Sequence, residues 1–582
     1  MKIKDLKYMA VVAALGLGVS SCNDFLDRPT EDNYNTENFY QTDEQCYQGV
    51  NYLYNSPWYD FQRGFIKVGE VLSGNMYWGS SPYLTFTVNG TDEDLVNMSY
   101  SLWAVIGHAS TVYNNLSNAK ASETAINTCK GETLLWKALA YFYLVRTFGD
   151  VPIIHDSSAE IAAGTYNQKF KVERADVYEY IVMTLEKAIE LLPEKCQSGR
   201  LDKYCAKGLL AKVYLTRSGL GLSGSRDADD LKMAAQLAKD VIDNSGRQLM
   251  ASYPDIFRLA YNISDESMIA WRWSAGRDPW TQQNTLQSDL APVGFDEFGD
   301  CWGGWNGPSV DLEDAFNINI LTSPAQRIDT DTRRQATMML PGDTYSYFWA
   351  DKGGFDVLRF CYDTDDYGKG GPGEWQSPTG AYNVKHLYGN GADHLAATGV
   401  SAGNMYSALA THILRLADVY LIYVEATIGN NGSTSDASAV AAFNAVRNRA
   451  IPNRTQSTSV TWEEVWKERR LELAGEGDRW YDYVRLAYYD TNRAITELKS
   501  QRRNSYYNLN ALFKYYYTSG TWDAVKAAAA EDSGEPGYDT STAAPNVTAS
   551  SFTLPFPKED EVYNPNLKLD PIHVDVRSEY SY

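Results

Sequence analysis

Residues 132–148 read ETLLWKALAYFYLVRTF and run into Gly149-Asp150-Val151-Pro152. At the helical period, Leu135, Ala138, Leu139, Phe142 and Val145 fall on one stripe, and Trp136, Ala140, Tyr143 and Thr147 fall on a second. A helix that is apolar on two sides must be covered on both, so this segment is an inner helix. Helical neighbours are at hand to cover it. Val177, Ile181, Leu185, Ala188, Ile189 and Leu192 form a single stripe that Pro193 stops. Ala206, Leu209, Leu210, Val213 and Tyr214 form another, and Leu231, Ala234, Ala235, Ala238 and Ile242 close the series. Upstream, Thr42 with Gln45 makes a capping box that opens a helix toward Tyr54, and Leu95 to Lys120 continues the pattern. Hairpins of this length, with alanines where backbones approach, predict stacked tetratricopeptide-like pairs over residues 30–244 rather than a βαβ sheet.

The stripes break off at residue 245. From 245 to 408, glycine, proline, Asp/Asn and aromatics replace them, and Trp271, Trp273, Trp280, Trp302, Trp305, Trp349 and Trp375 all fall here. A long irregular stretch inside a compact protein is functional or disordered, and a disordered one would not be this aromatic. The reading is an ordered binding region. Helical patterns resume at His412–Ile428, Ala437–Ala450, Trp462–Gly475 and Trp480–Tyr489, in a C-terminal part spanning 409–582. The predicted fold is mainly α, a tetratricopeptide-like helix-pair scaffold with a long irregular, aromatic-rich loop region, and residues 22–582 form one compact domain.

The N-terminus speaks to the compartment. Lys2, Lys4 and Lys7 make a basic start, Tyr8–Val19 is a short apolar run, and Val19-Ser20-Ser21 sets small residues before Cys22. That order reads as a lipoprotein signal over 1–21 with Cys22 as the lipidated residue; the alternative is an ordinary secretory leader with a chance cysteine. The run falls short of the roughly 18 apolar residues that a spanning helix needs. An anchored chain is expected, since more than one acyl chain holds a protein stably on a membrane. The formal net charge is −22, and losing the basic leader leaves about −24. Nucleic acid is therefore a poor partner, for its binding needs basic patches and no Lys/Arg block appears. A neutral ligand suits the charge better. The seven cysteines show no CxxC pair and no zinc-like spacing.

Six segments carry a resemblance: Cys22-Asn23-Asp24-Phe25-Leu26-Asp27, Ala140 to Pro152, Ile413 to Ala426, Asn444 to Ala450, Glu468-Arg469-Arg470-Leu471-Glu472-Leu473, and Asn564-Pro565-Asn566-Leu567. In this order and spacing the chain resembles the SusD/RagB-like outer-membrane glycan-binding lipoproteins of Bacteroidetes. It departs at Ala474-Gly475-Glu476-Gly477-Asp478-Arg479-Trp480, where the family often carries a Phe or Phe-Glu before the turn. The resemblance implies helix pairs supporting an irregular ligand-binding region and an outer-membrane position facing the cell exterior. It also implies a SusC-like TonB-dependent β-barrel transporter as partner, over which such proteins close as a lid. It carries over no catalytic residue, implies no enzyme, and calls for no cofactor.

Sugar rings present apolar C–H faces, and a rigid aromatic stacks on them at low entropy cost. Tyr77-Trp78-Gly79 and Cys301-Trp302-Gly303-Gly304-Trp305 put rings on backbone that glycine lets approach closely. Tyr77, Trp78, Cys301, Trp302 and Trp305 are accordingly the candidate glycan contacts, with Asp60 and Arg359 as hydroxyl partners and Tyr388 as a weaker addition. The alternative packs these tryptophans into an internal satellite core. Asp363, Asp365 and Glu374 hold the first, third and twelfth places of a calcium loop, but Tyr367 fails the fifth, so an acidic surface loop is the better reading. Gly368–Gly373 satisfies G-x-G-x-x-G without the strand and helix that a dinucleotide site requires. Arg415 with Asp418, and Glu468 with Arg469 and Arg470, are expected to form internal ion pairs. Capture of a neutral oligosaccharide for a barrel importer is the leading function. A glycoside hydrolase, whose two carboxylates leave no local motif, and a peptide-binding helical-repeat scaffold are the alternatives.

Overall fold

The computed structural model describes residues 39–582 apart from 277–279, 297–299, 364, 366, 368–370, 403–404 and 542–543. Cys22 and the leader over 1–21 lie outside the described residues.

The scaffold is built from α1 (Asp43–Asn51), α2 (Gln62–Ile66), α3 (Glu93–Ser117), α4 (Glu123–Phe148), α5 (Arg174–Leu191), α6 (Lys203–Arg217) and α7 (Ala228–Asn244). Each of α3 to α5 packs on the next, α5 packs on α6 and α6 on α7. Side-chain caps start them: Asp92, Ser122, Asp202 and Asp227 accept from Leu95, Ala125, Cys205 and Asp230 amides at α3, α4, α6 and α7. At α1, Thr42 accepts from the Gln45 amide as expected, but the Gln45 side chain reaches back to the Gln41 amide rather than to Thr42. The inner helix is α4, whose residues from Gly131 to Phe148 are all buried. Two charged groups caught in it form ion pairs, Glu132 with Arg200 and Arg146 with Asp478, and Lys137 donates to the His155 carbonyl.

Between residues 245 and 408 the chain forms short helical turns and two-residue strand pairs. It is tied back to the scaffold by β2 (Ser267–Trp271), which runs antiparallel to β4 (Thr411–Arg415). Residues 411–415 were expected to begin the helix at His412. The run Thr411-His412-Ile413 instead extends along β2, and the helix that follows starts only at Leu416, because the strand partner supplies the backbone bonds that a helix turn would have made. Downstream, α9 (Leu416–Ile428), α10 (Ala437–Ala450), α11 (Trp462–Leu473) and α12 (Arg479–Ser500) complete the helical part. In α12, Asp490 leaves helical geometry and kinks the element, which runs on past the expected end at Tyr489.

The expected ion pairs exist with other partners. Arg415 bonds Glu266, Glu472 and Glu476 rather than Asp418, which instead takes Lys212 and Arg469 at 2.8 and 2.6 Å. Glu468 pairs with Arg333 and Arg447. Neighbours in sequence along a helix or strand point apart, so the partners come from other elements. The divergent turn places Gly475 and Gly477 at φ of +82° and +72°, and Glu476 between them points into the Arg415 cluster. The Arg415 and Lys385 charges beside Glu476 hold its pKa down to about 2 against the cost of burial.

Candidate functional site

One strap carries the first half of the site. Residues 56–71 wind as a 3₁₀ turn, α2 and a π turn, with Trp58, Phe61 and Phe65 buried inward. These three rings close on Trp271, with centroids at 5.3, 5.6 and 5.2 Å. The same winding leaves Asp60, Arg63 and Lys67 on the outer side. Partial burial raises the Asp60 carboxyl pKa.

Arg63 reaches into the irregular region. Its guanidinium grips both oxygens of Asp289, on α8 (Leu286–Leu290), at 2.9 Å each. One of those oxygens also accepts the Trp302 indole N–H at 2.8 Å. The loop can press this close because a Cβ at Gly303 would collide with the Asp289 carbonyl. Lys67, paired with Asp94, lies over the Trp78 ring at 5.0 Å. Trp78 sits on β1 (Met76–Trp78), whose antiparallel partner β3 (Asn306–Pro308) begins next to Trp305 and pairs Trp78 with Asn306. Trp302 and Trp78 are thus each linked to the outer side of the strap, through Arg63 with Asp289 and through Lys67, and Trp305 adjoins the strand that pairs with Trp78.

Their exposure separates them from the other tryptophans. Trp302 and Trp305 are 43% and 57% exposed. Trp271, Trp273, Trp349 and Trp375, from the same region, are buried and do belong to an internal core. Sequence reasoning missed Arg63, Lys67 and Asp289, which are ordinary charged residues without a motif. It also missed a smaller aromatic group beside Asp60, where Trp280 donates to the Tyr59 hydroxyl and meets the Tyr406 ring edge-on at 5.3 Å.

The remaining candidates lie elsewhere. Tyr77 points to the other side of β1 and lines a separate cavity. Cys301 is buried, so its thiol is out of reach of a ligand on this face. Tyr388 is buried too, donating to Asp296 and lining a cavity of about 370 Å³ with Arg258 and Tyr347. Arg359 is committed to the acidic loop: it bonds Asp363 at 2.7 Å and Asp365 at 3.4 Å and covers the Tyr367 ring. The Tyr517 hydroxyl takes the other Asp363 oxygen, so that carboxylate already has organic partners. Asp363, Asp365 and Glu374 do not converge into a metal-holding group, whereas Glu173, Asp176 and His573 stand together at the exposed start of α5.

The helical scaffold thus holds Trp302 and Trp305 in the open, the first bonded to Asp289, and sets Lys67 over Trp78. Comparison agrees. Residues 306–572 match the SusD family, and residues 24–215 match a family described as starch-binding and associating with the outer membrane. A SusD-like protein of Bacteroides ovatus is 33% identical over 98% of this chain and 99% of its own length. A solved structure described with a xylogluco-oligosaccharide superposes with a TM-score of 0.74 at 30% identity, covering 91% of this chain and 99% of that one. A laminarin-binding SusD-like protein shares the fold, with a TM-score of 0.58 at 22% identity over 83% of this chain and 98% of that one. The chain belongs to the SusD family, and a SusD-like protein of Bacteroides fragilis that shares the fold at 20% identity is described as carbohydrate-binding. No described helix is long and apolar enough to cross a membrane.

Proposed function

We propose that this protein captures a neutral oligosaccharide at the cell surface, on the face formed by Trp78, Trp302 and Trp305, and delivers it to a SusC-like TonB-dependent barrel transporter. The observation that carries the reading is the pair of exposed indoles at 302 and 305, the first bonded to the Asp289 that pairs with Arg63. Flat apolar rings take the C–H faces of a sugar, and the charged groups beside them take its hydroxyls. The solved relative with a xylogluco-oligosaccharide supports a xylogluco-oligosaccharide as the first ligand to try. The family's association with the outer membrane supports a lipid anchor at Cys22 and the transporter partnership.

Purified protein incubated with xylogluco-, malto- and laminari-oligosaccharides tests this. Retention without cleavage is expected for at least one; release of shorter products would favour a hydrolase, and no retention of any glycan would favour a protein-binding scaffold. For delivery, the membrane-bound chain should co-purify with a TonB-dependent barrel, and a Cys22→Ala chain should leave the membrane fraction.

A further inference from the structure

The alternation of β1 sends its two aromatics to different places. Trp78 joins the stacking face, whereas Tyr77 enters a cavity of about 580 Å³ on the other side. For a chain of net charge −22, the lining of that cavity is out of character: Lys499, Arg502 and Arg503 stand against a single carboxylate, Asp539. Arg502 is neutralised by Asp314 at 2.8 Å and lies over the Tyr538 ring at 4.3 Å. The other two cations have no carboxylate partner among the described residues. Arg503 is buried to 7% exposure, and its donors go to the Val71 and Leu72 carbonyls at 2.7 and 3.1 Å and to the Gln501 side chain at 2.9 Å. Burial draws its pKa down to about 10, with Tyr483 and Asp311 opposing only part of that fall. The carbonyls offset part of that charge. Lys499, exposed at the rim, has no such offset. Asp539 receives the Ser541 amide at 2.8 Å and supplies the one negative group.

A concave site with surplus positive charge focuses field and concentrates anions, even on a protein whose remaining surface repels them. Tyr77 and Tyr538 add ring walls, and Lys499 and Arg502 add donors, so a sugar bearing a charge fits better than a bare ion. We infer that this cavity receives an anionic substituent, a carboxylate or a sulfate or phosphate ester, carried on a sugar of the captured glycan. This rests on the glycan-capture reading and refines its ligand: a neutral backbone with an isolated acidic branch.

The test is calorimetry of the purified protein at low salt with glucuronate, glucose and inorganic sulfate as probes, and with a neutral xylogluco-oligosaccharide as reference. Glucuronate is expected to bind at least tenfold more tightly than glucose. The Lys499→Glu protein should lose that preference, Lys499→Arg should keep it, and Trp78→Ala should keep it because the cavity is on the other side of the strand. Displacement of glucuronate by sulfate would show that charge alone is read; failure of sulfate to displace it would show that the sugar is read with it. Equal affinity for glucuronate and glucose would overturn the proposal, as would a preference that survives Lys499→Glu. Binding of the neutral reference by the wild-type protein is read separately, so the failure of this proposal and the failure of glycan capture are distinguishable.

Discussion

Trp302 donates its indole N–H to Asp289 across 2.8 Å, and the same carboxylate holds Arg63 by both oxygens. An exposed ring is thereby fixed in orientation by a buried acid. Pre-orienting a contact side chain lowers the entropy lost when ligand binds. Asp289→Asn keeps an acceptor for the indole and loses the ion pair; Asp289→Ala loses both. Glycan affinity is expected to fall in both, further in the alanine protein, with a difference of about 1 kcal/mol for the lost hydrogen bond. Equal affinities in the two variants would show that Asp289 does not orient the ring.

The Arg415 cluster is a stability element. Arg415 is buried and bonds Glu266 at 2.7 Å, Glu472 at 3.0 Å and Glu476 at 2.6 Å. Removing it leaves buried carboxylates short of counter-charge, a loss of about 3–5 kcal/mol. The urea midpoint of Arg415→Ala should fall accordingly, whereas Lys526→Ala, which removes an exposed cation, should leave it nearly unchanged.

Two buried histidines make stability depend on pH. Burial draws His412 down to about 3 and His386 down to about 4 from an ordinary 6.5. His412 is held as the neutral Nε2–H form, donating to the Ile256 carbonyl at 2.9 Å while Nδ1 accepts from Ser267 at 3.0 Å. Below 6.5 the unfolded chain takes up protons that the folded chain refuses, so this contribution is complete above 6.5 and is lost as pH falls toward 4 and 3. The slope is about 1.4 kcal/mol per histidine per pH unit. Glu132, which burial pushes up to about 7, acts in the opposite sense between 4.5 and 7. Melting temperature should therefore be compared at pH 7 and 5 in wild type and in a His386→Gln/His412→Gln protein. The double variant is expected to show the smaller fall on acidification.

Gly477 is needed on two counts. Its φ is +72°, and a Cβ there would collide with the Phe65 ring that backs the strap. Gly477→Ala is expected to cost at least about 1–3 kcal/mol from backbone strain. Because Phe65 supports the turn bearing Arg63 and Lys67, glycan affinity should drop with it. An alanine protein of wild-type melting temperature would show that the turn relaxes freely.

The helical scaffold was legible because an inner helix must be apolar on two stripes, and residues 132–148 show both. The strand at Thr411–Arg415 was not, because its helical or extended state is decided by Ser267–Trp271, far away in sequence. The stacking face was half legible. Trp78, Trp302 and Trp305 stood out as aromatics in glycine-bearing segments, but Cys301 in the same segment and Tyr388 before Gly389 were candidates too, and only packing shows that these two are buried. Arg63 and Asp289 left no signal, since their roles arise from a contact 226 residues apart.

The central claim is that exposed indoles hold carbohydrate, and titration of a Trp302→Ala/Trp305→Ala protein with a xylogluco-oligosaccharide tests it most directly. Each anchoring ring is worth about 2 kcal/mol or more, so loss of both should weaken binding by about a thousandfold while the melting temperature stays near that of the wild type, because both rings are exposed. Wild-type affinity in the double variant, for every oligosaccharide that the wild type binds, would contradict the account.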